Sequence, residues 1–185
     1  LMTQLRKGMP ASRRTALKLL GGAAAASAFG ARVSAADPIK IGLSAAFSGP
    51  NAAAGQALSR GAELAMDEIN ATGGVLGRQF NLVIRDNEHK LDRGVAQTRE
   101  LIEREGCMAI RGSQGSFIGL AVIDTIHELN VPWFALAVGG VGIIENKRTP
   151  NYMFRVATND REVAKFLVKY GLDQAGGKKF GVLNE

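Results

Sequence analysis

Two loops rich in small residues carry the groups of this chain that are best suited to hold a small anion. The first runs from Gly112 to Ser116 and the second from Ala137 to Gly142. Both follow apolar runs typical of buried strands, and a helical pattern follows the first. Small residues let the backbone approach a ligand, and the start of a helix offers unpaired N–H groups and partial positive charge to a carboxylate or phosphate. The loops therefore predict an anion-binding site, with helix capping by Ser116 as the alternative role.

These loops lack the motifs that catalysis or cofactor binding would need. A nucleophile elbow has glycine two residues before and two after its serine, but neither Ser113 nor Ser116 has both. The run from Gly139 to Gly142 is too close to Pro150 to open the helix of a dinucleotide-binding fingerprint. No Walker-type lysine follows a glycine loop. We therefore predict no catalytic residue, no cofactor and no enzymatic activity.

One cluster of side chains, formed by Asp86, Glu88, His89 and Asp92, has the chemistry of metal ligands. Its spacing matches neither a zinc site nor an EF-hand. A solvated loop whose acidic residues lie near the start of a helix is the better interpretation, so no metal site is predicted. Cys107 is the only cysteine, which excludes an intramolecular disulfide, and we expect it to be a small buried residue.

The elements that must position the loops begin with a strand–helix–strand unit. Apolar runs at Ile39–Leu43 and Phe80–Ile84 flank a helical pattern that ends at Gly73-Gly74. Such a unit requires a parallel sheet with a right-handed crossover, and ligands bind beyond the carboxyl ends of its strands. The helix residues expected to face the sheet are Leu58, Ala62, Ala65 and Ile69.

The same alternation continues to the end of the chain and predicts an α/β doubly wound parallel sheet. Strands are expected at Met108–Ile110 and Val131–Ala135, with Trp133 in the core, and an extended segment at Tyr152–Val156 is expected to lead out of the layer. A last strand at Phe180–Leu183 has no helix after it, so the chain is expected to be cut short. His127 is expected to be exposed. The apolar helix faces are Leu91, Val95, Thr98 and Ile102, then Ile118, Val122, Ile126 and Leu129, then Val163, Phe166, Leu167 and Tyr170.

The positive charge of the chain is confined to its N-terminus. Lysine and arginine total 23 against 17 acidic residues, but six of the basic residues precede Asp37, so 23 − 6 leaves 17 against 17. This balance does not favour nucleic acid as a partner. Residues 1–35 instead resemble a twin-arginine-type export signal: Arg13-Arg14 precede an apolar region from Leu19 to Ala31, and small residues at Val33-Ser34-Ala35 allow cleavage near Ala35. The mature protein is expected to be periplasmic.

Several separated motifs give the chain a resemblance to a known family. Residues 38–185 are similar to the branched-chain amino acid (leucine/isoleucine/valine) type of periplasmic substrate-binding proteins of ABC transporters. The motifs that occur in the family's order are Ser48-Gly49-Pro50, Ile69 to Arg78, Gly112 to Ser116, Val131-Pro132-Trp133, and Phe154-Arg155 to Asp160.

The resemblance implies a type I periplasmic-binding-protein fold, in which two lobes close around a small molecule and deliver it to an ABC permease. Residues 36–155 would form the first lobe. Residues 156–185 would cross the hinge, near Arg155-Val156, and begin a second, incomplete lobe.

The resemblance also implies a set of ligand contacts. A ligand carboxylate would meet Gly115 or Ser116 after the third strand and the segment from Ala137 to Gly139 after the fourth. Gly139 stands where the family usually has threonine, and Val163 stands where glutamine is frequent. Asp160 falls where an acidic residue can meet an ammonium group. The ligand-binding residues are thus expected to be Ala54, Gly115, Ser116, Ala137, Val138, Gly139 and Asp160.

The ligand stays open between a branched-chain amino acid, a related amide and another small carboxylate, because a second lobe would supply about half of such a pocket. Two other functions also remain. A sensory ligand-binding module of a membrane receptor would use the same fold and site. A secreted α/β hydrolase would need a nucleophile–base pair, which this sequence does not contain in recognisable form.

Overall fold

A computed structural model describes residues 37–112, 114–174, 176, 177, 179 and 181. The predicted export signal at 1–35 lies outside the described residues, as do Ser113 and most of the predicted last strand. Among the described residues, no helix is long and apolar enough to cross a membrane.

In the part of the chain that the structure describes, five parallel strands form one sheet in the order β2-β1-β3-β4-β5. They are β1 (Ile39–Ala45), β2 (Phe80–Asp86), β3 (Ala109–Arg111), β4 (Trp133–Ala135) and β5 (Met153–Arg155). The strand order reverses between β1 and β3, which is the point where ligands bind in doubly wound sheets. The predicted α/β doubly wound parallel sheet is confirmed.

The described residues contain six helices, which connect and follow the strands. They are α1 (Ala52–Ala71), α2 (Leu91–Glu103), α3 (Ser116–Ala121), α4 (Ile123–Leu129), α5 (Val141–Ile144) and α6 (Asp160–Asp173). The sequence predicted α3 and α4 as one helix. Val122, with φ −86° and ψ −5°, interrupts it, although the predicted inward residues Ile118, Val122 and Ile126 are all buried.

The core lies between the sheet and α2–α5, and Trp133 is its largest side chain at 1% exposure. Glycine at position 112 makes room for this indole, since a Cβ on Gly112 would lie 2.5 Å from Trp133 Cη2. Cys107 is buried as predicted, and burial, with a smaller effect of Glu105, raises the pKa of its thiol. The predicted exposure of His127 is wrong, because its ring is half-buried with Nδ1 2.7 Å from the Ile123 carbonyl oxygen.

Helix α1 lies on the sheet through smaller residues than the sequence predicts. Gly55, Ser59 and Ala62 are buried, whereas Ala65 and Ile69 are exposed. The backbone of the helix approaches β1 so closely that a Cβ on Gly55 would lie 2.8 Å from the Ala46 carbonyl carbon. The prediction is correct at Ala62, but the buried stripe is rotated towards Gly55 and Ser59, because close backbone approach selects small side chains.

Two expectations for the last part of the chain are wrong. The segment expected to leave the layer forms β5, which pairs in parallel with β4 and stacks Phe154 on Phe134 at 5.4 Å between ring centroids. Helix α6 has none of its residues buried. The predicted inner face is exposed because none of the described residues covers it: Val163, Phe166, Leu167 and Tyr170.

Candidate functional site

The loops at the carboxyl ends of β1 and β3 are joined by one side chain. Gln114 accepts a hydrogen bond from the Ala46 amide through Oε1 at 3.0 Å. Its Nε2 lies within 3.5 Å of the Ala46 carbonyl oxygen. The amide group therefore binds both backbone groups of Ala46 and fixes the β1 loop against the β3 loop. Sequence reasoning missed this residue, since nothing local distinguishes a glutamine in a glycine-rich loop.

The loops after β3 and β4 meet at Ser116 and Gly140. A Cβ on Gly140 would lie 3.1 Å from Ser116 Cβ and 3.2 Å from its Oγ. The N-cap of α3 is Gly115 and has no side-chain cap, so Ser116 is the first helical residue and the capping role considered for it is wrong. Because its hydroxyl does not cap the helix, it can be used by a ligand at this edge of the sheet.

The start of α6 lies against the β4 loop. The Asp160 amide donates a hydrogen bond to the Gly139 carbonyl oxygen at 3.1 Å. A Cβ on Gly139 would overlap the Asp160 carboxylate and lie 2.5 Å from its Cγ. Asp160 is exposed and Gly139 is half-buried. The structure thus brings together Ser116, the glycine pair of the β4 loop, and a carboxylate at the carboxyl ends of neighbouring strands.

The remaining residues expected in the site have different surroundings. The Val138 side chain is only 2% exposed and belongs to the core, so only its backbone is free to meet a ligand. Ala137 is exposed in the β4 loop. Gly115 is buried, and a Cβ there would lie 2.6 Å from Phe117 Cε1. Ala54 is exposed in the first turn of α1.

Asp86 and its neighbours hold the loops together through hydrogen bonds and ion pairs. Asp86 Oδ1 accepts hydrogen bonds from the amides of Phe47 at 2.8 Å and Glu88 at 2.9 Å. Burial acts to raise the pKa of Asp86, but these hydrogen bonds, together with those from Ser48, outweigh it, and the pKa lies below the ordinary value. Glu88 pairs with Lys90 and Arg93. Within the described part of the chain, no three His, Cys, Asp or Glu side chains are grouped to hold a metal ion.

Comparison with known proteins identifies what the chain resembles. The family described as periplasmic binding protein matches residues 38–185. The Leu/Ile/Val-binding protein BraC3 of Rhizobium johnstonii is 30% identical over 147 residues, which are 80% of this chain and 39% of that protein. The Leu/Ile/Val-binding protein homolog 7 of Brucella suis is 34% identical over 151 residues, 82% of this chain and 35% of that protein.

Solved structures show the same similarity. The branched-chain amino acid transporter substrate-binding protein LivJ from Streptococcus pneumoniae, in complex with isoleucine, superposes with a TM-score of 0.69 at 29% identity over 75% of this chain and 39% of that chain. An ABC transporter substrate-binding protein from Desulfitobacterium hafniense, in complex with Leu, gives 0.65 at 28% identity, over 75% of this chain and 39% of that chain. The chain therefore spans well under half the length of these relatives.

Proposed function

The chain belongs to the periplasmic binding protein family. We propose that the full-length protein captures a small molecule between two lobes and delivers it to an ABC-type permease. The family expected from the sequence is confirmed, and it is a family of binding proteins rather than of enzymes. The ligand we propose is a branched-chain amino acid, a related amide or another small carboxylate. Relatives named for leucine, isoleucine and valine support this class.

One observation carries the proposal. Ser116, the backbone of Gly139 and Gly140, and the Asp160 carboxylate adjoin one another at the carboxyl ends of β3 and β4. A ligand carboxylate would lie against the Ser116 hydroxyl and the backbone of the two loops, which attract negative charge. A ligand ammonium or amide group would lie against Asp160. The two chemistries required by an amino acid would thus be supplied by neighbouring groups, Ser116 beside Gly140 and Asp160 beside Gly139.

The wider setting of the site is part of the same proposal. Residues 1–35 would direct export to the periplasm and be removed near Ala35. Residues 36–155 would form the first lobe, and residues 156–185 would cross the hinge and begin the second. Closure of the second lobe over the site would complete the pocket and present the loaded protein to the permease. No bond would be made or broken.

Calorimetry on the full-length protein tests this function. The titrants are leucine, isoleucine, valine, their amides and other small carboxylates. Gly139→Trp should abolish binding because it fills the site, and Asp160→Ala should weaken binding about tenfold or more because it removes the carboxylate. Asp173→Ala is the matched control, because it removes a carboxylate at the far end of α6 that pairs with Lys169 at 2.6 Å. Wild-type protein that binds none of these titrants, or Asp160→Ala with unchanged affinity, would overturn the proposal.

A further inference from the structure

Arg155 reaches from the end of β5 to the loop that carries Gly139. Its Nη1 donates hydrogen bonds to the carbonyl oxygens of Gly139 and Gly140, each at 3.1 Å. The side chain is half-buried. Hydrogen bonds from a guanidinium are about twice as strong as those between neutral groups. We propose that Arg155 is a positioning residue that holds the β4 loop in the shape that receives the ligand, an inference that rests on the proposed function.

The two hydrogen bonds from Arg155 Nη1 to the Gly139 and Gly140 carbonyl oxygens form a clamp, and this clamp is anchored in the sheet. Arg155 is aligned with Ala135 in the ladder between β5 and β4, and the next amide, Val156, donates to the Ala135 carbonyl oxygen at 3.0 Å. The guanidinium is therefore anchored by the sheet, whereas the loop it binds has no strand or long helix of its own. Without Arg155, each glycine carbonyl would keep only one backbone partner, the Asp160 amide for Gly139 and the Ile143 amide for Gly140, and the two glycines have the widest backbone freedom.

Two peptide planes are set by this clamp. In a trans peptide the N–H points away from the C=O of the same unit. Since the Gly139 and Gly140 carbonyls both point at Arg155, the amides of Gly140 and Val141 point away from it. Neither amide has an acceptor among the described residues. Both are therefore available as donors to an anionic group on the side of the loop opposite the guanidinium.

The clamp also ties the loop to Asp160. The Gly139 carbonyl oxygen accepts from Arg155 and, at 3.1 Å, from the Asp160 amide. Movement of this carbonyl would change the position of the loop and of the start of α6 together. Arg155 thus acts on both proposed halves of the site, the one that meets a carboxylate and the one that meets an ammonium, without touching the ligand.

The test compares Arg155→Met and Arg155→Lys with Arg148→Met in the full-length protein. Arg148→Met is the matched control because Arg148 is an exposed arginine that pairs with Asp124 outside the site. The probe is whichever of leucine, isoleucine, valine or their amides binds the wild-type protein. Affinity is measured by calorimetry, and the amide resonances of Gly140 and Val141 are followed by NMR as the probe is added.

Arg155→Met should weaken binding about tenfold or more, as expected for the loss of charge-assisted hydrogen bonds. Arg155→Lys, which keeps a donor nitrogen on a shorter side chain, should fall between it and the wild type, and Arg148→Met should bind as the wild type does. The Gly140 and Val141 resonances should shift on ligand addition in the wild type, and by clearly less in Arg155→Met at the same degree of saturation. If Arg155→Met does not fold, the role of Arg155 is tested with Arg155→Lys, by the same measurements of affinity and of the amide resonances.

The outcomes separate this inference from the proposed function. If the wild type binds no probe, the proposed function fails and the role of Arg155 fails with it. If the wild type binds and both Arg155 variants bind with its affinity and resonance shifts, only the role of Arg155 is overturned. Reduced affinity with unchanged Gly140 and Val141 shifts would also overturn it, because the effect would then arise elsewhere than in the loop.

Discussion

The Asp160 carboxylate occupies the space that a side chain at position 139 would need. A Cβ on Gly139 would lie 2.5 Å from Asp160 Cγ, and the Asp160 amide binds the Gly139 carbonyl oxygen at 3.1 Å. A side chain at position 139 and the Asp160 carboxylate would therefore compete for the same space. This accounts for glycine at a position where the family resemblance implies threonine, since a threonine side chain would displace the carboxylate.

The first prediction concerns the coupling between these two residues. Gly139→Ala and Asp160→Ala should each weaken ligand binding by about tenfold or more, the first by pushing the carboxylate away and the second by removing it. The double variant should lose little more than either single variant, because both changes remove the same interaction. Calorimetry on the full-length protein measures the four affinities of this double-mutant cycle.

A nearby glycine provides the control for this cycle. Gly142→Ala adds a methyl group whose closest neighbour is Leu120 Cδ2 at 3.2 Å, so it should leave the affinity close to that of the wild type. Additive losses in the double variant would show that Gly139 and Asp160 act independently, against the shared volume seen in the structure.

The second prediction concerns the stability of the core. Gly112→Ala would place a Cβ against the buried indole of Trp133, and overpacking of this kind costs about 1–3 kcal/mol. Gly61→Ala is the opposite case: it lies in α1 with nothing within 4 Å of the added Cβ. It should raise the free energy of unfolding by up to about 1 kcal/mol.

The free energy of unfolding of both variants can be measured by urea unfolding, monitored through the fluorescence of Trp133, which is the only tryptophan in this sequence. We expect Gly61→Ala to be the most stable protein, the wild type to be intermediate, and Gly112→Ala to be the least stable. A Gly112→Ala protein as stable as the wild type would mean that the indole has room to move.

The strands were predictable because their signal is local. The apolar runs at Ile39 and Phe80 begin β1 and β2 as predicted, and both of these strands extend two residues further than expected. The rotation of α1 was not predictable, because the burial of Gly55 and Ser59 depends on how closely the helix backbone approaches β1. Hydrophobic periodicity favours large residues at a contact, whereas close approach favours small ones.

The site was predictable only in part, for a related reason. The family resemblance named both Gly139 and Asp160, but it did not predict that they share one volume. That contact depends on β5, which was expected to leave the layer and instead pairs with β4, bringing the start of α6 to the β4 loop. Arg155 was noted only as a point near the hinge, because its two hydrogen bonds join residues that are 15 and 16 positions apart.

The third prediction concerns the reactivity of Cys107. The thiol is 3% exposed and burial raises its pKa, so the thiolate that reacts with disulfide reagents is both scarce and inaccessible in the native protein. Labelling at mildly alkaline pH should be slow in the native protein and fast in urea. Labelling of the native protein at the rate of the unfolded chain would contradict the burial of this residue.

The fourth prediction concerns acid and the β1 loop. Asp86 has its pKa lowered below the ordinary value of 3.8, which applies in the unfolded chain. As the pH falls, the unfolded state therefore takes up the proton first, so the stabilisation from Asp86 is complete above the unfolded pKa and is lost as the pH falls through the folded pKa. Asp86→Asn removes this titration and weakens the hydrogen bonds from the Phe47 and Glu88 amides.

Asp86→Asn should accordingly be less stable than the wild type at neutral pH, and the difference should shrink as the pH falls below about 4. Urea unfolding at neutral pH and at a series of acid pH values measures this convergence. A difference that stayed constant into acid would mean that the carboxylate charge contributes nothing and that Asp86 acts only through its shape. Convergence would instead identify the ionised carboxylate as the group that holds the β1 loop beside the end of β2, through its hydrogen bonds from the Phe47 and Glu88 amides.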